Sequence, residues 1–262
     1  MVLAWTLSGA AIDGVDIHWT SAGKGAKTVI LVHGWTGDES AWSAQVPALM
    51  AAKYRVITLD LPGHGHSGSP KDGKFSMTLF ARAIDAVCAQ AKVQQAVLVG
   101  HSMGTPAIWQ YARLYPKRVV ALVLVDGVVA KASSVALYAG LAPRFAGPDG
   151  PKNHAEFVRA LFRVTLDEMR ANILRVSMAT PPATVSGAMA ALADPAIWKD
   201  DVIDKPVLGI YAEKSQLGDQ ETLHKVFPNL EYVEIPGTDH FLMMEKPAEF
   251  NSYLLDFLKK HS

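Results

Sequence analysis

Six short apolar runs recur along this chain, separated by segments of helical periodicity, and this alternation restricts the fold more than any other feature. The runs lie in "KTVILVHG", "YRVITLDLPG", "QAVLVGHS", "VVALVLVDG", "KPVLGIYAE" and "LEYVEIPG". Each holds four or more mostly β-branched or aliphatic residues, and most close at Gly, Asp or Pro. Nearly continuous apolar strands suit a parallel sheet covered on both faces, because polar residues need to alternate only where one face meets water. The intervening segments 41–52, 76–91, 105–115 and 247–259 are amphipathic. Strand, helix, strand in this order implies right-handed crossovers and a doubly wound α/β fold. Half of the 262 residues are hydrophobic, enough to bury such a sheet.

One interval breaks the rhythm. From about residue 130 to 178 there is no strand-like run, only helical pieces such as "NHAEFVRALFRVTLDEMRANILRV". A helical insertion after the fourth run would cover the carboxyl edge of the sheet, where open α/β sheets take their ligands. The expected organisation is a core of residues 1–127 and 179–262 with a cap, or lid, of residues 128–178. The Pro pair in "ATPPATVSGAMAALADP" marks the return to the core. Within the cap, Phe157, Leu161, Phe162, Leu166, Met169 and Met178 are the candidates for an apolar pocket roof.

Lys+Arg and Asp+Glu both number 25, so no basic excess points to nucleic acid and no basic block points to anionic lipid. The expected partner is a small molecule, with no nucleic acid and no membrane insertion. The start, "MVLAWTLSGAAIDG", has neither the basic region nor the long apolar region of a signal peptide, and no stretch of 18 apolar residues occurs. A cytoplasmic location is expected. Cys88 is the single cysteine; it reads as a small buried hydrophobe on the apolar side of a helix rather than as a reactive thiol.

The chemistry is concentrated in "VLVGHSMGTPAIW". A G-x-S-x-G sequence between a buried strand and a helix makes a turn so tight that its flanking residues must be small, and it lifts the serine hydroxyl above the sheet. Ser102 holds that position between Gly100 and Gly104, and the helix that follows aims its N-terminal amides at the same point. A serine hydroxyl needs a general base from another loop on the same edge. Of nine histidines, His240 in "EYVEIPGTDHFLMMEKP" follows the last strand and precedes the C-terminal helix, which suits that role. His101 lies within the turn, with its ring expected to point away from the nucleophile. His18 and His154 have no motif around them, and His224 falls on a surface helix. His64 and His66 belong to a tight loop, "DLPGHGHSG", without a further ligand set evident in the sequence, so no metal and no cofactor is expected.

Taken together, "LVHGW" (31–35), "LDLPGHGHS" (59–67), "GHSMG" (100–104), "LVLVDG" (122–127) and "DHF" (239–241) resemble the α/β-hydrolase superfamily, in particular its small capped serine esterase-like members. The resemblance runs from about residue 15 to the C-terminus, in the family order. It implies an eight-stranded, mostly parallel sheet with a cap inserted after the sixth strand. It also implies an oxyanion hole made by the backbone N–H groups of Trp35 and Met103.

The chain departs from the family at the acid. Counting from Pro206, the customary aspartate position is Ser215, which cannot carry the negative charge an imidazolium needs. Asp126, at the end of "VVALVLVD", is the favoured replacement, as in certain haloalkane dehalogenases; Glu213 and Asp219 are the alternatives, and a serine–histidine dyad is a further one. Asp239, adjacent to His240, is expected to direct its side chain elsewhere.

The function expected from these residues is hydrolysis of a carboxylic ester by Ser102, His240 and an acid, through an acyl-enzyme. Two other readings compete: hydrolysis of a carbon–carbon bond in a diketone-like substrate, and a non-catalytic ligand receptor on the same scaffold. The loop "HGWTGDESAW" lacks the extra glycines common in the first, and the loss of the customary acid is what favours the second.

Overall fold

The computed structural model describes residues 6–129 and 135–262. Residues 130–134, at the expected start of the helical interval, and 1–5 of the N-terminal stretch discussed above lie outside the described residues. Eight strands form one sheet: β1 (Thr6–Ile12), β2 (Val15–Ala22), β3 (Thr28–Val32), β4 (Arg55–Leu59), β5 (Ala96–His101), β6 (Val119–Val125), β7 (Val207–Ala212) and β8 (Leu230–Ile235). Their spatial order is β1-β2-β4-β3-β5-β6-β7-β8. The last six in that order are parallel to one another, whereas β1, β2 and β4 pair antiparallel.

The six apolar runs are the six parallel strands. Every residue of β3, β5 and β7 is buried, because helices cover both faces. Ile30, Val32, Leu98, Leu122 and Leu124 enter one core, against α2 (Met77–Gln90) and α3 (Gly104–Leu114). Val29, Leu31, Val97, Val99 and Val123 enter the other, against α1 (Gln45–Ala51) and α10 (Pro247–His261). The two-residue period of the strand sends successive side chains to opposite cores. Ser76 caps α2 by accepting the Leu79 N–H at 3.0 Å. Cys88 is buried on this helix, and burial pushes its thiol up.

The antiparallel hairpin β1–β2 turns at Asp13 and Gly14, both with positive φ (52° and 76°). This is the Asp-Gly signature of a tight hairpin whose twist matches its strands. β2 alternates buried and open positions in its first half and carries Asp16, His18, Thr20 and Ser21, so it shows no continuous apolar run.

Between β6 and β7 the described residues form α4 (Val135–Leu141), α5 (Gly150–Arg159), α6 (Asp167–Met178) and α7 (Pro182–Leu192). α7 lies past residue 178, yet it packs on α4 and on the short turn Ala142–Phe145. The chain then passes through α8 (Gln220–Val226) and α9 (Leu242–Glu245). No helix among the described residues is long and apolar enough to cross a membrane.

Candidate active site

Parallel strands deliver their carboxyl ends to one edge, so the loops after β3, β5, β6, β7 and β8 meet there. Ser102 follows β5 with a left-handed backbone (φ 51°) and is 9% exposed. Its N–H donates to the Val125 carbonyl (3.0 Å), and its carbonyl accepts from Thr105 (3.0 Å) and Val128 (3.3 Å). The neighbouring glycines are required by contact: a Cβ on Gly100 would lie 2.5 Å from the Gly104 carbonyl oxygen, and one on Gly104 would lie 2.6 Å from that of Val32. The serine turn is thereby pressed against β3 and its loop, and α3 starts directly behind it.

His240 follows β8. Its Nδ1 is 2.6 Å from Oδ2 of Asp126, both side chains being nearly sealed from solvent. Asp126 follows β6 directly, with positive φ (38°), and its Oδ1 accepts the Ala212 N–H at 3.1 Å. Burial disfavours its charge, but hydrogen bonding and attraction from His240, with the Ala212 N–H and the Ser215 hydroxyl, hold the carboxyl below the usual carboxylate range. Residues with such backbone conformations cost about 1–3 kcal/mol each and gather at functional sites. Ser215, the customary acid position, thus stands near the carboxylate that lies on the ring, and its hydroxyl favours the charged form.

The alternative carboxylates lie elsewhere. Glu213 is half-exposed, pairs with Lys214 at 3.8 Å and accepts the Gly237 N–H at 3.2 Å. Asp219 caps α8, accepting from the Thr222 N–H at 2.9 Å and from its hydroxyl. Asp239 points away from the His240 ring, as expected, to a definite partner. Buried to 1% exposure, it accepts the N–H groups of Arg163, Val164 and Thr165 and the Arg163 Nε at 3.0 Å. This ties the turn between α5 and α6 to the loop bearing His240.

Burial disfavours the Asp239 charge, yet those donors pull its carboxyl down to about 2. The unfolded value is near 3.9, so the folded state resists protonation. The stabilisation is complete above about pH 4 and lost as pH falls towards 2. Asp239→Asn should therefore lower stability by about 2 kcal/mol at neutral pH, a fall in Tm of about 4–8 °C. Thermal melts of both proteins against pH check this: the gap should close in acid, and a gap constant down to pH 2 contradicts the clamp.

Two histidines contribute in ways their sequence neighbourhood does not announce. The ring of His101 packs on that of His240, centroids 4.6 Å apart, and its Nε2–H donates to the His240 carbonyl at 2.8 Å. Burial first, then the neighbouring His240, depress it to about 3, so it stays neutral. His33 accepts the Leu61 N–H at Nε2 (2.9 Å), which leaves Nδ1–H to donate to the Gly34 carbonyl (2.7 Å). That bond fixes the loop holding Trp35. Among the described residues, no loop or turn carbonyl accepts from the N–H of Trp35 or of Met103.

Trp35, Ser102, Met103 and His240 all line one largely apolar pocket. The α5–α6 segment adds Phe157, Val158, Leu161, Ile173 and Val176. Of the six expected roof residues only Phe157 and Leu161 line it; Leu166 (74% exposed) and Met178 (39%) face solvent, and Phe162 packs on Phe241. Apolar identity alone does not choose the lining: α6 turns positions 172, 173, 176 and 177 to the pocket, 178 falls on the opposite side of the helix, and 169, on the same stripe but in the first turn, lies outside the lining. The indole of Trp35 donates to the Val185 carbonyl at 2.9 Å and packs on Phe145, His154 and Phe157. Behind it His154, lowered by burial to about 4, bonds Ser177 (2.8 Å), which bonds Thr36 (2.6 Å). Helices α5 and α6 are thus joined to the loop after β3 by polar contacts as well as by rings.

Comparison with known proteins agrees with this architecture. The α/β hydrolase fold family matches residues 27–247. The chain is 28% identical over 273 residues to the dihydrolipoyllysine-residue acetyltransferase component of the acetoin cleaving system of Pseudomonas putida, covering 96% of this chain and 69% of that protein. Among solved structures it resembles a bromoperoxidase from Bacillus anthracis (TM-score 0.85, 25% identity, 97% and 100% of the two chains). A thermophilic esterase from Thermogutta terrifontis shares the fold at TM-score 0.86 and 24% identity, over 98% and 100% of the two chains. With its eight-stranded sheet, its serine turn and a family match spanning most of its length, the chain belongs to the α/β-hydrolase family.

Proposed function

We propose that this protein is a serine hydrolase that cleaves carboxylic esters of small, largely apolar molecules through an acyl-enzyme. The observation that carries the reading is the 2.6 Å hydrogen bond from His240 Nδ1 to the buried Asp126, beside a pocket that His240 shares with Ser102. Bonding at Nδ1 leaves Nε2 unprotonated, the tautomer a general base requires.

In this mechanism the Ser102 hydroxyl attacks the ester carbonyl while His240 Nε2 takes its proton. The tetrahedral oxyanion is held by the N–H groups of Trp35 and Met103, each worth about 3 kcal/mol to the barrier. His240 then protonates the leaving alcohol, and the acyl group stays on Ser102. Water, deprotonated by the same nitrogen, hydrolyses the acyl-enzyme and restores the serine. Asp126 keeps the ring oriented and stabilises the imidazolium formed in each half-reaction. A serine in the turn provides the acyl chemistry; the halide- and epoxide-opening members of this fold use an aspartate there.

The test is turnover of p-nitrophenyl esters from acetate to octanoate, with a burst of p-nitrophenol equal to the enzyme concentration when deacylation is slow. Folded protein without turnover on any of these esters would reject the reading and favour a ligand-binding role.

A further inference from the structure

We infer that His18, Glu39, Asp60 and His66 form a binding site for a first-row divalent metal ion of the zinc type, on the face of the sheet edge beside β2. One ring nitrogen of each histidine and one carboxylate oxygen of Asp60 all lie within 4.8 Å of one another. His18 Nε2 is 3.1 Å from Glu39 Oε1, and His66 Nδ1 is 3.4 Å from Asp60 Oδ2. Ligands bound tetrahedrally at about 2.1 Å sit roughly 3.4 Å apart, so the His18–Glu39 and His66–Asp60 pairs already have the spacing of neighbouring ligands. Drawing the two pairs together around one ion requires adjustment of His66, whose side chain is 77% exposed.

The carboxylates are held for such a role. Asp60 is fully buried, and its two oxygens accept the backbone N–H groups of Glu39 (2.8 Å) and His66 (2.8 Å). Glu39 Oε2 accepts from the hydroxyls of Thr20 (2.9 Å) and Thr58 (2.6 Å), which leaves Oε1 towards His18. The scaffold is equally fixed: Ser67 bonds both the His18 N–H (2.9 Å) and the Asp60 carbonyl (2.6 Å), stitching the loop to β2. Hydrogen bonds that orient the ligands in this way contribute a large part of metal affinity.

Charge and donor type select the ion. Among the described residues, no lysine or arginine pairs with Glu39 or Asp60, so two carboxylates share their surroundings with two imidazoles and no permanent cation. A divalent ion would balance them. Two nitrogens with two oxygens suit zinc or a neighbouring first-row ion, whereas calcium and magnesium demand oxygen alone. The four residues are spread over positions 18 to 66, without the regular ligand spacing of a metal motif. The hairpin and the β4 loop bring them together.

The experiment is zinc titration by calorimetry on untagged, chelator-stripped full-length protein, with cobalt(II) absorption as a second readout. We expect one zinc per chain, tetrahedral cobalt bands, and a higher Tm with zinc present. His66→Ala, at an exposed position, should fold normally, weaken zinc by about 10–100-fold and flatten the cobalt bands. His18→Ala should do the same, with its fold checked by circular dichroism. Absence of zinc binding to the wild type overturns the site, and so does affinity unchanged in both His66→Ala and the His18→Ala/His66→Ala double variant.

Discussion

Ser102→Ala is expected to lower ester turnover by about 10⁴-fold or more while leaving the fold intact. The substitution removes one oxygen, and with it the atom that becomes acylated, so both half-reactions lose their centre. No partner is stranded, because among the described residues the Ser102 side chain takes part in no hydrogen bond within the protein. The left-handed backbone tolerates alanine no worse than serine, so Tm should move by less than about 2 °C. Steady-state rates with p-nitrophenyl butyrate, beside thermal melts, check both halves of the expectation. A variant that keeps a tenth of the wild-type rate rejects Ser102 as nucleophile.

Asp126→Asn should be the second most damaging change, lowering kcat by about 10²–10⁴-fold. The amide keeps the size of the carboxylate but loses the charge that stabilises the imidazolium. Its N–H₂ group can turn towards Nδ1 and reverse the tautomer, which would put the proton on the nitrogen meant to receive one. The change should act on kcat more than on KM, since the ring works only once substrate is bound. Glu213→Gln and Asp219→Asn should be mild, because their carboxylates are held by Gly237 and Lys214 and by Thr222. The Ser215 hydroxyl favours the Asp126 charge from nearby, so Ser215→Asp on the Asp126→Asn background places a carboxylate near the lost one and should recover part of the rate. Near wild-type activity in Asp126→Asn, with either other amide crippled, would move the acid; three active amides would make a dyad.

What could be read from the residues was whatever depends on near neighbours in the chain. The parallel strands were legible because burial on both faces leaves an unbroken apolar run. The turn at Ser102 was legible because strand, small residue, serine, small residue and helix are consecutive. β2 lacks a run of that kind, and its only local signal was Asp13-Gly14 at the hairpin turn.

The sequence by itself therefore determined the core sheet, the crossover helices and the serine turn, and it ordered Ser102, Asp126 and His240 along the chain. Only the tertiary structure decided which carboxylate meets the ring. Asp126 and His240 are 114 positions apart, and their contact depends on β7 standing beside β6, so that the Ala212 N–H can hold the acid. The tertiary structure also decided which residues of 157–178 face the pocket, because the rotation of α6 about its axis is set by its packing partners and not by its composition. The same holds for His101 on the His240 loop and Asp239 on the 163–165 turn: hydrogen bonds across such separations carry no periodic signal, and they exist only once the sheet has brought its loops to one edge.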